Sequence, residues 1–166
     1  MEKNICVLFR SDEYTDYEAK KRIIDMMKFI DPKKFMRIRI YNDLLPDDRI
    51  VGEGICREFI LMFVCENLYT TEKIYVSSII DISHDMTEIN IFVALMYLFG
   101  IEIYSTDEED KLYPDEIYLD GIRNFMKERL NDENIDFSNV EDEKQICVIK
   151  VAWDVVMHMW EEFRKY

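Results

Sequence analysis

The sequence predicts an α/β domain: a mainly parallel sheet of four or five strands flanked by helices, closed by a long C-terminal helix. Three observations lead there. Short apolar, β-rich runs recur at 4–10, 35–41, 73–80 and 101–106. Between them lie segments with apolar residues at helical spacing, and this alternation builds parallel sheets with covering helices. The last segment, 142–166, is apolar nearly all round its middle. Such a helix either packs across its own domain or meets a second subunit.

Taken in order, "NICVLFR" (4–10) reads as a buried strand. In 11–30, Tyr17, Ile23, Ile24, Met27 and Ile30 fall near helical spacing, Asp12 or Thr15 can cap the start, and Pro32 stops the helix. "FMRIRIY" (35–41) alternates apolar residues with Arg37 and Arg39, the period of a strand. An irregular link (42–54) precedes a helix at 55–68. "KIYVSSII" (73–80) is the third strand, and 85–99 is a helix stopped by Gly100. "IEIYST" (101–106) is the fourth strand. Residues 114–130 form an amphipathic helix, and 142–166 one long helix. The organisation expected is an α/β unit over 1–112 with a helical extension over 113–166.

Composition narrows the function. The chain has 166 residues, 49% hydrophobic and 13% aromatic, enough for a real core. Its formal charge is -14, from 35 acids against 21 bases, which repels nucleic acid unless the bases cluster. The densest basic stretch, "DPKKFMRIRI" (31–40), reads as a helix end and a strand. Acidic stretches at 105–116 and 131–143 read as solvated loops. The longest apolar stretch, 89–103, is too short and too interrupted to span a membrane. The N-terminus gives no sign of a signal peptide. Cys6 and Cys147 sit in apolar runs and are expected as buried free thiols, in a cytoplasmic protein. No cofactor or metal site is expected, since a trio of Asp81, Asp85 and Glu88 is more simply a solvated acidic turn. His158, among Val155, Met157, Met159 and Trp160, reads as a packing residue.

The stretch "SSIIDISHDMTE" (77–88) joins the third strand to the next helix, where open α/β sheets place working groups. It holds Asp81, Ser83, His84, Asp85 and Glu88 but no lysine or arginine. Together with "VLFRSDE" (7–13), Asp43 after "RIRIYN", "CREFILMF" (56–63) and "FGIEIYSTDEE" (99–109), it resembles the catalytic domain of the resolvase/invertase-type serine recombinases. That resemblance covers roughly residues 4 to 110. It implies attack by a serine hydroxyl on a DNA phosphodiester, with arginines balancing the charge that accumulates on phosphorus. Carried over, Arg10 matches the arginine beside the nucleophile and Arg57 the one opening the second helix. The nucleophile's slot falls on Asp12, with Ser11 one residue early. Asp81 matches the aspartate of the Asp-Arg-Leu-x-Arg turn, but Ile82 and Asp85 occupy its two arginine slots. An aspartate facing a transferring phosphate repels it. The expectation is therefore a recombinase-like domain impaired or inactive in strand cleavage, in which any surviving chemistry uses Ser11 with Arg10 and Arg57. It would bind DNA weakly and act as a homodimer or heterodimer through the C-terminal helix.

Two rival expectations use the same residues. Nucleotide N-glycosidic hydrolases of the TIR and deoxyribosyltransferase type share this layout and carry a catalytic glutamate after a central strand. Glu88 stands there and could stabilise an oxocarbenium-like sugar. Read structurally, Glu88 is a solvated first-turn carboxylate. The third expectation is an acidic inhibitor or regulator of a DNA-binding protein. It turns on whether Val148, Val151, Val155 and Met159 form an exposed stripe or pack on the domain itself.

Overall fold

The computed structural model describes residues 3–10, 16–30, 35–41, 64, 66–83, 85–159 and 162–163. Five strands form one sheet: β1 (Asn4–Arg10), β2 (Phe35–Tyr41), β3 (Thr71–Val76), β4 (Glu102–Ser105) and β5 (Asp110–Lys111). Their spatial order is β2-β1-β3-β4-β5. The first four are parallel, and β5 runs antiparallel to β4. Among the described residues four helices accompany them: α1 (Asp16–Met27), α2 (Met86–Leu98), α3 (Glu116–Leu130) and α4 (Asp142–Asp154).

Strand β1 is buried on both faces, which explains its unbroken apolar run. Cys6 and Leu8 join the larger core with Ile74, Val76, Ile103 and the apolar residues of α2. Ile5 and Val7 point the other way, to Tyr75 and to Met26 of α1. Helix α2 lies inside the larger core, and Ile89, Ile91, Phe92, Val93, Ala94, Leu95 and Met96 are all buried. Leu119, Ile122 and Met126 of α3, with Val148 and Ala152 of α4, belong to that same core. The C-terminal extension is thus packed on the sheet domain.

Sequence and structure part company at several boundaries. The third strand was expected over 73–80, but β3 stops at Val76, and a 3-10 turn follows at Ile79–Asp81. The acidic stretch 105–116 is not all loop. It folds back as β5, through a turn in which Glu109 adopts a left-handed φ of 52°. The last helix changes character at Val155, where a π-helical turn (Val155–Met159) begins. Its apolar stripe is used internally: Val148 and Val155 are buried, and Val151 and Met159 pack against the core. Cys147 is exposed rather than buried, whereas Cys6 is buried, its sulfur 3.6 Å from the Thr71 hydroxyl. His158 is exposed as well, so it is not a packing residue. The caps proposed at Asp12 and Thr15, and residues 55–63 and 65 of the helix expected at 55–68, lie outside the described residues.

Helix ends follow local chemistry. Asp115 caps α3 by accepting from the Ile117 N–H at 2.9 Å. Asn131 ends it in the left-handed region, with φ of 52°. Gly100 ends α2 at φ 73°. Around it, Gly100 N–H donates to Tyr97 C=O and Ile101 N–H to Met96 C=O, at 3.1 and 2.9 Å, a Schellman closure. A Cβ at Gly100 would also lie 3.1 Å from Ser138 Cβ. Gly100→Ala is expected to lower unfolding free energy by about 1–2 kcal/mol through the left-handed penalty. Urea denaturation reads this directly.

Candidate functional site

The carboxyl ends of β1, β3 and β4 share one edge of the sheet because these strands are parallel. Helix α1, which follows β1, packs on the Ile5–Val7 face, while α2, which follows β3, packs on the Cys6–Leu8 face. Adjacent strands whose helices leave to opposite faces open a crevice between them, the usual ligand position in α/β sheets.

The turn after β3 is built around the Asp81 carboxylate, which is 2% exposed. Its Oδ2 accepts from the Ser77 N–H at 2.8 Å, from the Ser77 hydroxyl, and from the Ser78 N–H at 3.3 Å. This ring of donors bends the chain at 77–81 and ends β3. Ile82, next along, is buried in the larger core. The Ser83 hydroxyl donates to Glu88 Oε2 at 2.8 Å and accepts from the Asp85 N–H at 2.9 Å. Asp85 caps α2, taking the Thr87 N–H at 2.8 Å. Glu88 is 1% exposed, so the solvated first-turn carboxylate expected from the sequence is instead an interior one.

The residues expected to bear chemistry therefore divide. Asp81 and Glu88 sit in one buried polar turn, each held by a serine hydroxyl. Arg10 ends β1 at the same sheet edge, opposite Tyr41 of β2. Ser11 and Arg57 lie outside the described residues, as do Asp12, Asp43 and His84. The acidic trio Asp81, Asp85 and Glu88 is not a solvated cluster: Asp81 turns back to Ser77, Asp85 to the N-terminus of α2, and Glu88 inward to Ser83. Among the described residues no three side chains converge as metal ligands.

One feature of this edge escaped the sequence. A cleft of about 480 Å³ lies between α1 and the ends of β3 and β4, lined by Glu18, Lys21, Arg22, Asp25, Ser77, Thr106 and Asp107. Its α1 wall follows helical spacing, i, i+3, i+4 and i+7, the signal that could have revealed a charged inner face. Its floor is fixed by backbone bonds, Thr106 N–H to Val76 C=O and Asp107 N–H to Ser77 C=O, both 2.9 Å. Arg22 reaches across to Asp107 at 3.2 Å. At the far end of the sheet, Glu102 is shared by Lys73 and Lys111, at 3.1 and 3.2 Å. Burial works to raise its pKa, but the two ammonium groups prevail and hold the carboxyl below its ordinary value.

No family model matches the chain, and no curated protein matches it. No helix among the described residues is long and apolar enough to cross a membrane.

Removing the carboxylate at 81 strands two backbone N–H groups in a buried turn. Asp81→Ala is expected to cost about 2–4 kcal/mol, against about 1 kcal/mol for loss of the cap in Asp85→Ala. Chemical denaturation of the two variants checks the ranking.

Proposed function

We propose that this chain is a resolvase-type recombinase domain homologue that does not cleave DNA strands and acts through protein association. The observation that carries the proposal is what the β3–α2 turn does with its side chains. Of the two positions where the resemblance calls for arginine, Ile82 is a core residue and Asp85 caps a helix. Asp81 is absorbed in holding the turn. A pentavalent phosphorus centre needs fixed positive groups, and this turn supplies buried carboxylates instead. The charge of -14 adds to the repulsion of DNA.

Association is assigned to the C-terminal helix, through a different face from the one first expected. Ile146, Trp153 and Met157 recur at 146, 153 and 157, one side of α4 and its π turn, and are 64%, 37% and 36% exposed. A second copy or a related subunit would cover them. On supercoiled DNA the protein is expected to give no covalent adduct, and Ser11→Ala to behave like the parent. Light scattering should report a dimer that Trp153→Glu converts to monomer. A Ser11-dependent protein–DNA adduct would overturn the inactive assignment, and a monomer at every concentration would overturn association with itself.

A second reading is favoured by one fact, the burial of Glu88 beside the end of a central strand. An interior carboxylate can act on an N-glycosidic bond by stabilising positive charge on the sugar. This version predicts release of free base from NAD or nucleosides, lost in Glu88→Gln while the fold is kept. Absence of base release by the parent protein eliminates it.

A further inference from the structure

The cleft beside α1 belongs to neither reading, and its lining has a chemical logic of its own. Two cations, Lys21 and Arg22, stand among three carboxylates, Glu18, Asp25 and Asp107, above the Ser77 and Thr106 positions. A bare anion is poorly served there, since the carboxylates oppose it. A polyanion such as duplex DNA is served worse, for the same reason repeated along its length. A purely apolar ligand finds no apolar side chain among the described lining residues. What suits the lining is a small molecule with one anionic group and several hydroxyls: ammonium and guanidinium donate to the anion, and carboxylates accept from the hydroxyls.

Position and rigidity favour the same conclusion. The cleft lies at the carboxyl ends of β3 and β4, beside the helix that follows β1, and its volume, about 480 Å³, falls within the range of small-molecule sites. Its floor is held before any ligand arrives. Ser77, 1% exposed, is fixed through its hydroxyl to Asp81, while its carbonyl accepts from the Ser105 hydroxyl at 3.1 Å and from the Asp107 N–H. The Arg22–Asp107 pair fixes the opposite wall to that floor. The ordering that remains falls on the exposed Lys21 and Asp25 side chains.

We propose that this cleft binds a phosphorylated sugar of the ribose 5-phosphate class, with Lys21 on the phosphate and Asp25 on sugar hydroxyls. The assignment stands on the cleft alone and survives whichever function holds for the β3–α2 turn. Titration calorimetry with ribose 5-phosphate is the test, with ribose and inorganic phosphate as separate arms. The expected result is saturable one-to-one binding, weakened at least about tenfold for either fragment alone. Lys21→Glu and Asp25→Asn should each weaken it about tenfold or more, while Lys127→Ala on α3 leaves it unchanged. Both substituted side chains are exposed on one helix, and unchanged thermal unfolding confirms that the variants fold. No saturable binding by the parent protein overturns the proposal. So does inorganic phosphate binding as tightly as the sugar phosphate, or binding indifferent to both α1 variants.

Discussion

The inward fold of Asp81 onto Ser77 is the constraint on which this end of the molecule depends. A carboxylate at 2% exposure survives only when donors surround it, and here two backbone N–H groups and a hydroxyl do so. Because the donors come from residues just upstream, the chain must turn on itself there, and β3 cannot continue. The same turn sends Ile82 into the core and delivers Asp85 to the first turn of α2. It also fixes Ser77, whose carbonyl receives the loop after β4. Strand end, helix start and cleft floor thus share one origin.

This arrangement separates two kinds of acidity in a highly charged chain. The carboxylates of 107–110 and much of 131–143 face solvent and keep the protein apart from other acids. Those at 81 and 88 are interior, each held by a serine. A turn of this sort can be rigid and position a neighbouring pocket, yet Asp81, Asp85 and Glu88 offer no charge balance to a transferring phosphate. The two chemistries proposed for this edge of the sheet, recognition of polar, hydroxylated groups from the α1 side and action by the interior Glu88, are both compatible with such a turn.

Much of the fold was legible because buried parallel strands and helices write distinct periods. "NICVLFR" and "FMRIRIY" matched β1 and β2 to the residue. Gly100 marked its helix end, which closes through a positive φ. Elsewhere tertiary context prevailed. The apolar pair Ile79 and Ile80 prolonged the strand pattern, and only the spacing from Ser77 to Asp81 hinted at the reversal. Strand β5 has two residues, Asp110 and Lys111, which resemble any polar loop and are held by pairing with β4. In α1 the apolar residues drew attention from the charged face formed by 18, 21, 22 and 25, which lines the cleft. The stripe at 148, 151, 155 and 159 could not disclose from spacing alone whether its cover was internal.

The two-residue β5 has a consequence for how copies of this protein can meet. An open sheet margin invites a neighbour's strand, and natural proteins discourage this with short, charged borders. Here the border is Asp110 and Lys111, preceded by Glu108 and Glu109. A strand approaching from that side would find two residues of backbone to pair with and a fence of ions to cross. Growth by strand addition is closed along that margin.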